Sequence, residues 1–145
     1  MARIFITFGD EEYSKTRDFC VWAARFLGGF DRTIAYSPND IGDEFIKDHH
    51  DIFQYKRGYG LWLWKPYLIY KTLKDVCVDG DYLFYGDGGS FFIRNIEIIE
   101  KTMDDNDLWV SHNSLVEWQF TKADTFDIMN CHGKRFEETA QTKFT

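Results

Sequence analysis

The chain has 145 residues, a length that suits one compact domain over residues 1–145. Its hydrophobic fraction of 44% and aromatic fraction of 19% supply a real core, and two prolines with no low-complexity tract argue against disorder away from the ends. A formal charge of −7 excludes a general nucleic-acid binder, because phosphate backbones need a broad basic surface.

In chain order, "RIFITF" (3–8) is rich in β-branched and aromatic residues and predicts a buried first strand. The stretch before the acids is too short and too soon charged for a signal peptide. Asp10 is placed to cap the next element. From Glu11 to about Leu27, Phe19, Trp22, Ala23 and Phe26 recur at helical spacing, and Gly28-Gly29 stops the pattern. "RTIAY" (32–36) predicts a short second strand ended by "SPND". A polar, weakly helical stretch with Asp43, Glu44 and the His49-His50 pair follows; that pair lacks ligand spacing and reads as surface.

Gly58 and Gly60 predict a loop, and Pro66 fits the first turn of a helix running to about Val76, where its missing N–H costs nothing. "DGDYLFYGD" (79–87) opens with a turn and becomes an apolar strand, with Asp81 starting that strand. Residues 94–104 are helical in pattern, and "DLWVSH" (107–112) predicts a fourth strand ending at His112. "TKADTFDIMNC" begins with the capping-box spacing Thr121-x-x-Asp124, and the tail "GKRFEETAQTKFT" reads as frayed. Strands alternating with helices predict an α/β fold with a parallel sheet covered on both faces. Cys20, Cys77 and Cys131 lie far apart with no CxxC pair, which points to free thiols in a reducing compartment. The apolar run "LWLWKPYLIYKTL" falls short of a membrane span, so the expectation is a soluble, cytoplasmic protein.

Charge is unevenly spread. From Ile52 to Lys74 there is no Asp or Glu, yet Lys56, Arg57, Lys65, Lys71 and Lys74 all occur there. Tyr55, Tyr59, Trp62, Trp64, Tyr67 and Tyr70 are interleaved with them, and then the acids return as Asp75, Asp79, Asp81 and Asp87. This is either a solvated basic helix face or a cleft that meets a diphosphate on one side and a cation on the other. "YLFYGDGGSFF" (82–92) likewise supports two readings. Asp-Gly between apolar runs is a hairpin signal. The same letters suit a loop at the carboxyl end of a buried parallel strand, where ligands bind, glycines admit close approach and a carboxylate suits Mg²⁺ or Mn²⁺.

The block Gly58-Tyr59-Gly60, Trp64-Lys65-Pro66, Gly80-Asp81 and Tyr85-Gly86-Asp87-Gly88-Gly89 resembles bacterial and viral glycosyltransferases of the GT-A type. Trp118, Thr121, Lys122 and Asp124 are similar to a later segment of that family, and "RIFITFGD" suits its opening strand. The resemblance implies a GT-A-like, Rossmann-type α/β/α sandwich that binds a nucleotide-diphosphate sugar. The implied activity is sugar transfer from a uridine- or guanosine-diphosphate donor to a glycan or other hydroxyl acceptor, with Mn²⁺ or Mg²⁺ as cofactor. Asp87 falls at the metal position. Residue 89 is glycine where a second carboxylate would stand, and family members run longer, so the resemblance implies a truncated or minimal form.

The roles follow from chemistry and from that family. The leaving diphosphate needs its charge neutralised by metal plus Lys or Arg. Asp87 is assigned to the metal, Lys65 at a helix start and Arg57 to the phosphates, Trp64 to donor stacking beside Trp62, and Gly88 to close approach. Thr7, Phe8 and Gly9 fall where this fold places a nucleobase. No residue has the features of a catalytic base. The alternative function is a non-catalytic nucleotide- or carbohydrate-binding module.

Overall fold

A computed structural model describes residues 1–103, 106–116, 119, 121–133 and 140–144. Contacts divide the chain into two compact units, Met1–Ile98 and Ile99–Thr145. The fold is mixed α/β, and among the described residues it holds a three-stranded parallel sheet, a two-stranded antiparallel sheet and seven helices.

In the first unit, β1 (Arg3–Phe8) is the central strand, flanked by β2 (Arg32–Tyr36) and β3 (Tyr82–Tyr85), both parallel to it. Alternation along β1 sends side chains into two separate cores. Ile4, Ile6 and Phe8 pack with Tyr36, Ile41, Trp64 and Leu68, the last two carried by α5 (Trp64–Asp75). Thr72 of α5 is fully buried, but its hydroxyl meets Tyr36 Oη at 2.9 Å and donates to the Leu68 carbonyl, so no polar cost remains. On the opposite face, Phe5 meets Phe30 at 5.4 Å and Phe92 at 5.2 Å, with Phe84 against the same group.

Helix α1 (Ser14–Phe26) begins later than the sequence pattern suggests. The Asp10 carboxylate accepts the Tyr13 N–H at 3.3 Å in the turn ahead of the helix rather than capping it. The inward stripe is also corrected. Cys20, Ala23 and Ala24 are buried, whereas Phe19, Trp22 and Phe26 are exposed. The phenylalanines around Phe5 already fill that face of the sheet, so the helix approaches it through small side chains and turns its aromatic row away.

Short helices α2 (Asp43–Asp48) and α3 (His50–Phe53) lead to a one-turn element, α4 (Gly58–Leu61). That turn is left-handed. Gly58, Tyr59, Gly60, Leu61 and Trp62 all have positive φ, and the Leu61 and Trp62 N–H groups donate to the Arg57 and Gly58 carbonyls. Each non-glycine residue there costs about 1–2 kcal/mol. The turn is held because Tyr59 packs on Phe8 and Phe53, and the Trp64 indole donates to the Gly58 carbonyl at 2.9 Å. Gly60→Ala is expected to destabilise the protein by about 2–3 kcal/mol in urea unfolding. Its φ is +80° and an added Cβ would lie 2.7 Å from the Phe53 ring.

Asp81 immediately precedes β3, one residue short of the expected strand start. Its carboxylate accepts the Ala2 N–H at 2.7 Å and the Val78 N–H at 3.1 Å, which lowers its pKa below the ordinary 3.8. Because the folded value is depressed, the stabilisation is complete above the ordinary value and lost as pH falls through the lowered one. Asp81→Asn should therefore melt earlier than wild type at pH 7, with the gap closing as pH falls through the lowered value.

In the second unit, the predicted fourth strand does not join the parallel sheet. β4 (Val110–Val116) pairs antiparallel with β5 (Ala140–Phe144), so part of the tail expected to be frayed is a strand. Helix α6 (Glu97–Met103) lies within the predicted 94–104, and α7 (Ala123–Ile128) has its N-cap at Lys122 rather than at the expected Thr121. Among the described residues, no helix is long and apolar enough to cross a membrane.

Candidate functional site

Strand order β2-β1-β3 creates a switch point. The chain leaves β1 toward β2 on one side and later returns to β3 on the other, and at such a point an open α/β sheet ordinarily has its ligand crevice outside the carboxyl ends of the strands, here those of β1 and β3. Gly9 and Asp10 follow β1 there, and Gly86-Asp87-Gly88 follows β3. The hairpin reading of this loop is excluded. β3 pairs with β1 alone among the described residues, and neither Gly88 nor Gly89 has the positive φ of a type I′ turn. The Ser90 N–H instead donates to the Asp87 carbonyl at 2.9 Å, closing a tight turn.

Asp87 is the centre of the charged group at this rim. Lys65 Nζ donates to its Oδ1 at 3.0 Å, and the Tyr85 hydroxyl donates to the same oxygen at 2.7 Å. The Lys65 ammonium also sits 4.7 Å from the centre of the Tyr85 ring, which favours a cation over its face. Tyr85 lies two residues before Asp87, so strand alternation sends both to the side of the sheet that α5 covers. Burial first, then the hydrogen bond to Asp87 and its negative charge, push the tyrosine hydroxyl far above its ordinary pKa, so it stays protonated and donating. The Asp87 side chain is 68% exposed and that of Lys65 33%, so the pair faces solvent and contributes about 0–1 kcal/mol to folding.

Glycine is needed on both sides of Asp87 for space. An added Cβ on Gly86 would lie 2.8 Å from the Phe5 ring, and one on Gly88 would lie 3.1 Å from the Phe8 carbonyl oxygen. Beside Gly88, Arg17 of α1 donates to the Gly9 carbonyl at 3.1 Å and pairs with Asp18 at 2.8 Å. The sequence pattern marks Tyr85 only as part of the family-like block, with no role of its own, and does not mark Arg17. Tyr85 was legible through its period-2 relation to Asp87, while nothing in the local pattern marks Arg17.

The other sequence candidates divide by burial. Thr7 and Phe8 are packed inside, Thr7 fully buried with its hydroxyl beside the Cys20 thiol, so neither offers its side chain to a ligand. Trp64 is 5% exposed and stacks on Phe8 at 3.9 Å, which makes it a wall of the core. Trp62 is 45% exposed, with the Arg57 guanidinium 5.5 Å from its ring centre. Lys71 donates to the Asp40 carbonyl at 2.8 Å, and Lys74 sits in the last turn of α5, so these parts of the basic window serve structure. His112 and the Lys122–Asp124 segment belong to the second unit, and Trp118 lies outside the described residues. Among the described residues, no three His, Cys, Asp or Glu side chains gather at one point.

The thiols are unpaired, and burial raises that of Cys20 to about 11. The chain matches no protein-family model, no curated protein and no solved structure.

Proposed function

We propose that the chain binds a nucleotide-diphosphate sugar at the β1/β3 crevice and is a metal-dependent glycosyltransferase of the GT-A kind. The supporting observation is the contact of Asp87 with Lys65 at the carboxyl end of a parallel strand, 3.0 Å apart and facing solvent. A bound diphosphate would draw the ammonium to its own oxygens. Asp87, already a site that favours positive charge, would then share a divalent ion with the phosphates and water. One carboxylate between glycines fits such a shared ion and does not fit an all-protein cage. When bound, the ion neutralises the charge that develops on the leaving diphosphate. Lys65 adds a second cation, Tyr85 orients the carboxylate through its 2.7 Å hydrogen bond, and exposed Trp62 offers a stacking face for a base or sugar ring. The resemblance carried by Trp64-Lys65-Pro66 and Tyr85-x-Asp87-x-Gly89 supports the same reading.

A second reading is a metal-free nucleotide- or carbohydrate-binding module. The Asp87–Lys65 pair also favours it, since the ammonium already stands where a cation would. Calorimetry with uridine and guanosine diphosphates, with manganese or with chelator, separates the two. The transferase reading predicts manganese-dependent binding and release of free nucleotide from a matching sugar donor. Binding that persists in chelator, with no release from any donor, supports the module. No binding of either nucleotide overturns both.

A further inference from the structure

Helix α1 is apolar on two faces. Cys20, Ala23 and Ala24 close onto the sheet, and Phe19, Trp22 and Phe26 line the outer side at i, i+3 and i+7. The rings form one row: Phe19 to Trp22 is 5.7 Å, Trp22 to Phe26 is 5.7 Å, and Phe91 extends it at 5.7 Å from Phe19. Trp22 is 48% exposed, Phe26 66% and nearby Ile93 77%. A soluble helix ordinarily shows water a polar face, and contiguous aromatics of this extent mark a contact surface.

The charges beside the row identify what it meets. Lys15 lies on the same helical stripe, one turn before Phe19. The Arg25 guanidinium sits 5.9 Å from the centre of the Phe26 ring, and Arg94 follows Ile93. Asp18, on this side of the helix, pairs with Arg17 at 2.8 Å, and the exposed Glu11 and Glu12 lie ahead of the helix rather than on the row. Tryptophan and phenylalanine flanked by lysine and arginine are the composition of a surface that lies in the headgroup layer of an anionic bilayer. A second copy is a poorer occupant. Antiparallel self-packing of α1 would bring Lys15 against the other copy's Arg25 with no free acid on the row between them.

We propose that the outer face of α1, extended by Phe91 and Ile93, docks the protein on an anionic membrane surface without spanning it. The inference does not depend on the donor site, which lies at the strand ends.

Co-sedimentation of the full chain with vesicles of equal parts phosphatidylcholine and phosphatidylglycerol tests it, read beside phosphatidylcholine alone. Binding to the anionic vesicles should weaken with salt, and Trp22→Ser with Phe26→Ser should reduce partitioning by at least about tenfold. Because neither side chain belongs to the core, the double variant should keep the wild-type circular dichroism. Lys15→Glu with Arg25→Glu should also release the protein while leaving the aromatic row in place. No vesicle binding by the wild type overturns the proposal. So does dimerisation in sedimentation velocity that the Trp22/Phe26 variant abolishes in the absence of vesicle binding, or retention on an immobilised neutral glycan through the same row with none on vesicles.

Discussion

Asp87→Ala is expected to abolish the manganese-dependent part of nucleotide-diphosphate binding and to reduce sugar transfer by about 100-fold or more. Folding should register the change far less than function does, because the side chain is 68% exposed and its ion pair with Lys65 faces solvent. Function and stability should thus separate at this position. Lys65→Met should behave as the complementary case, weakening nucleotide binding with or without manganese because it removes the arm proposed to reach phosphate. A variant at Asp87 that binds nucleotide diphosphate as tightly as wild type, in the same manganese buffer, would sink the assignment.

The reverse pattern is expected at the residue just before Lys65. Trp64→Ala should destabilise the protein by about 3–5 kcal/mol, read as a lower denaturation midpoint. Its ring is buried against Phe8 at 3.9 Å, and its indole N–H satisfies the Gly58 carbonyl that anchors the left-handed turn. Trp62→Ala, at an exposed ring two residues earlier, should leave stability within about 1 kcal/mol and weaken ligand binding by roughly 1–2 kcal/mol through lost stacking. Equal destabilisation by both substitutions would contradict the placement of these side chains.

Much of the first unit was legible because short-range physics dictates it. β1 and β2 matched their predicted ranges, and α5 starts within the first turn implied by Pro66. Asp87 was placed at a strand end by the run of apolar residues before it and the glycines around it. Three features were hidden, each for a tertiary reason. The phenylalanines of α1 follow helical spacing, but a sheet face already filled by Phe5, Phe30, Phe84 and Phe92 turned that stripe outward. The left-handed turn at 58–62 opposes the preferences of Tyr59, Leu61 and Trp62, and packing on Phe8 and Phe53 overrides them. The pairing of β4 with β5 is antiparallel and non-local, and strand periodicity alone carries no partner or direction.

The most direct test of the donor site is a crystal of the protein soaked with manganese and a uridine or guanosine diphosphate, read by anomalous scattering. The account predicts a manganese peak in contact with the Asp87 carboxylate, with Lys65 turned onto the diphosphate at the β1/β3 crevice. Nucleotide bound elsewhere, or at the crevice with the Asp87–Lys65 contact intact and no manganese beside it, would contradict it.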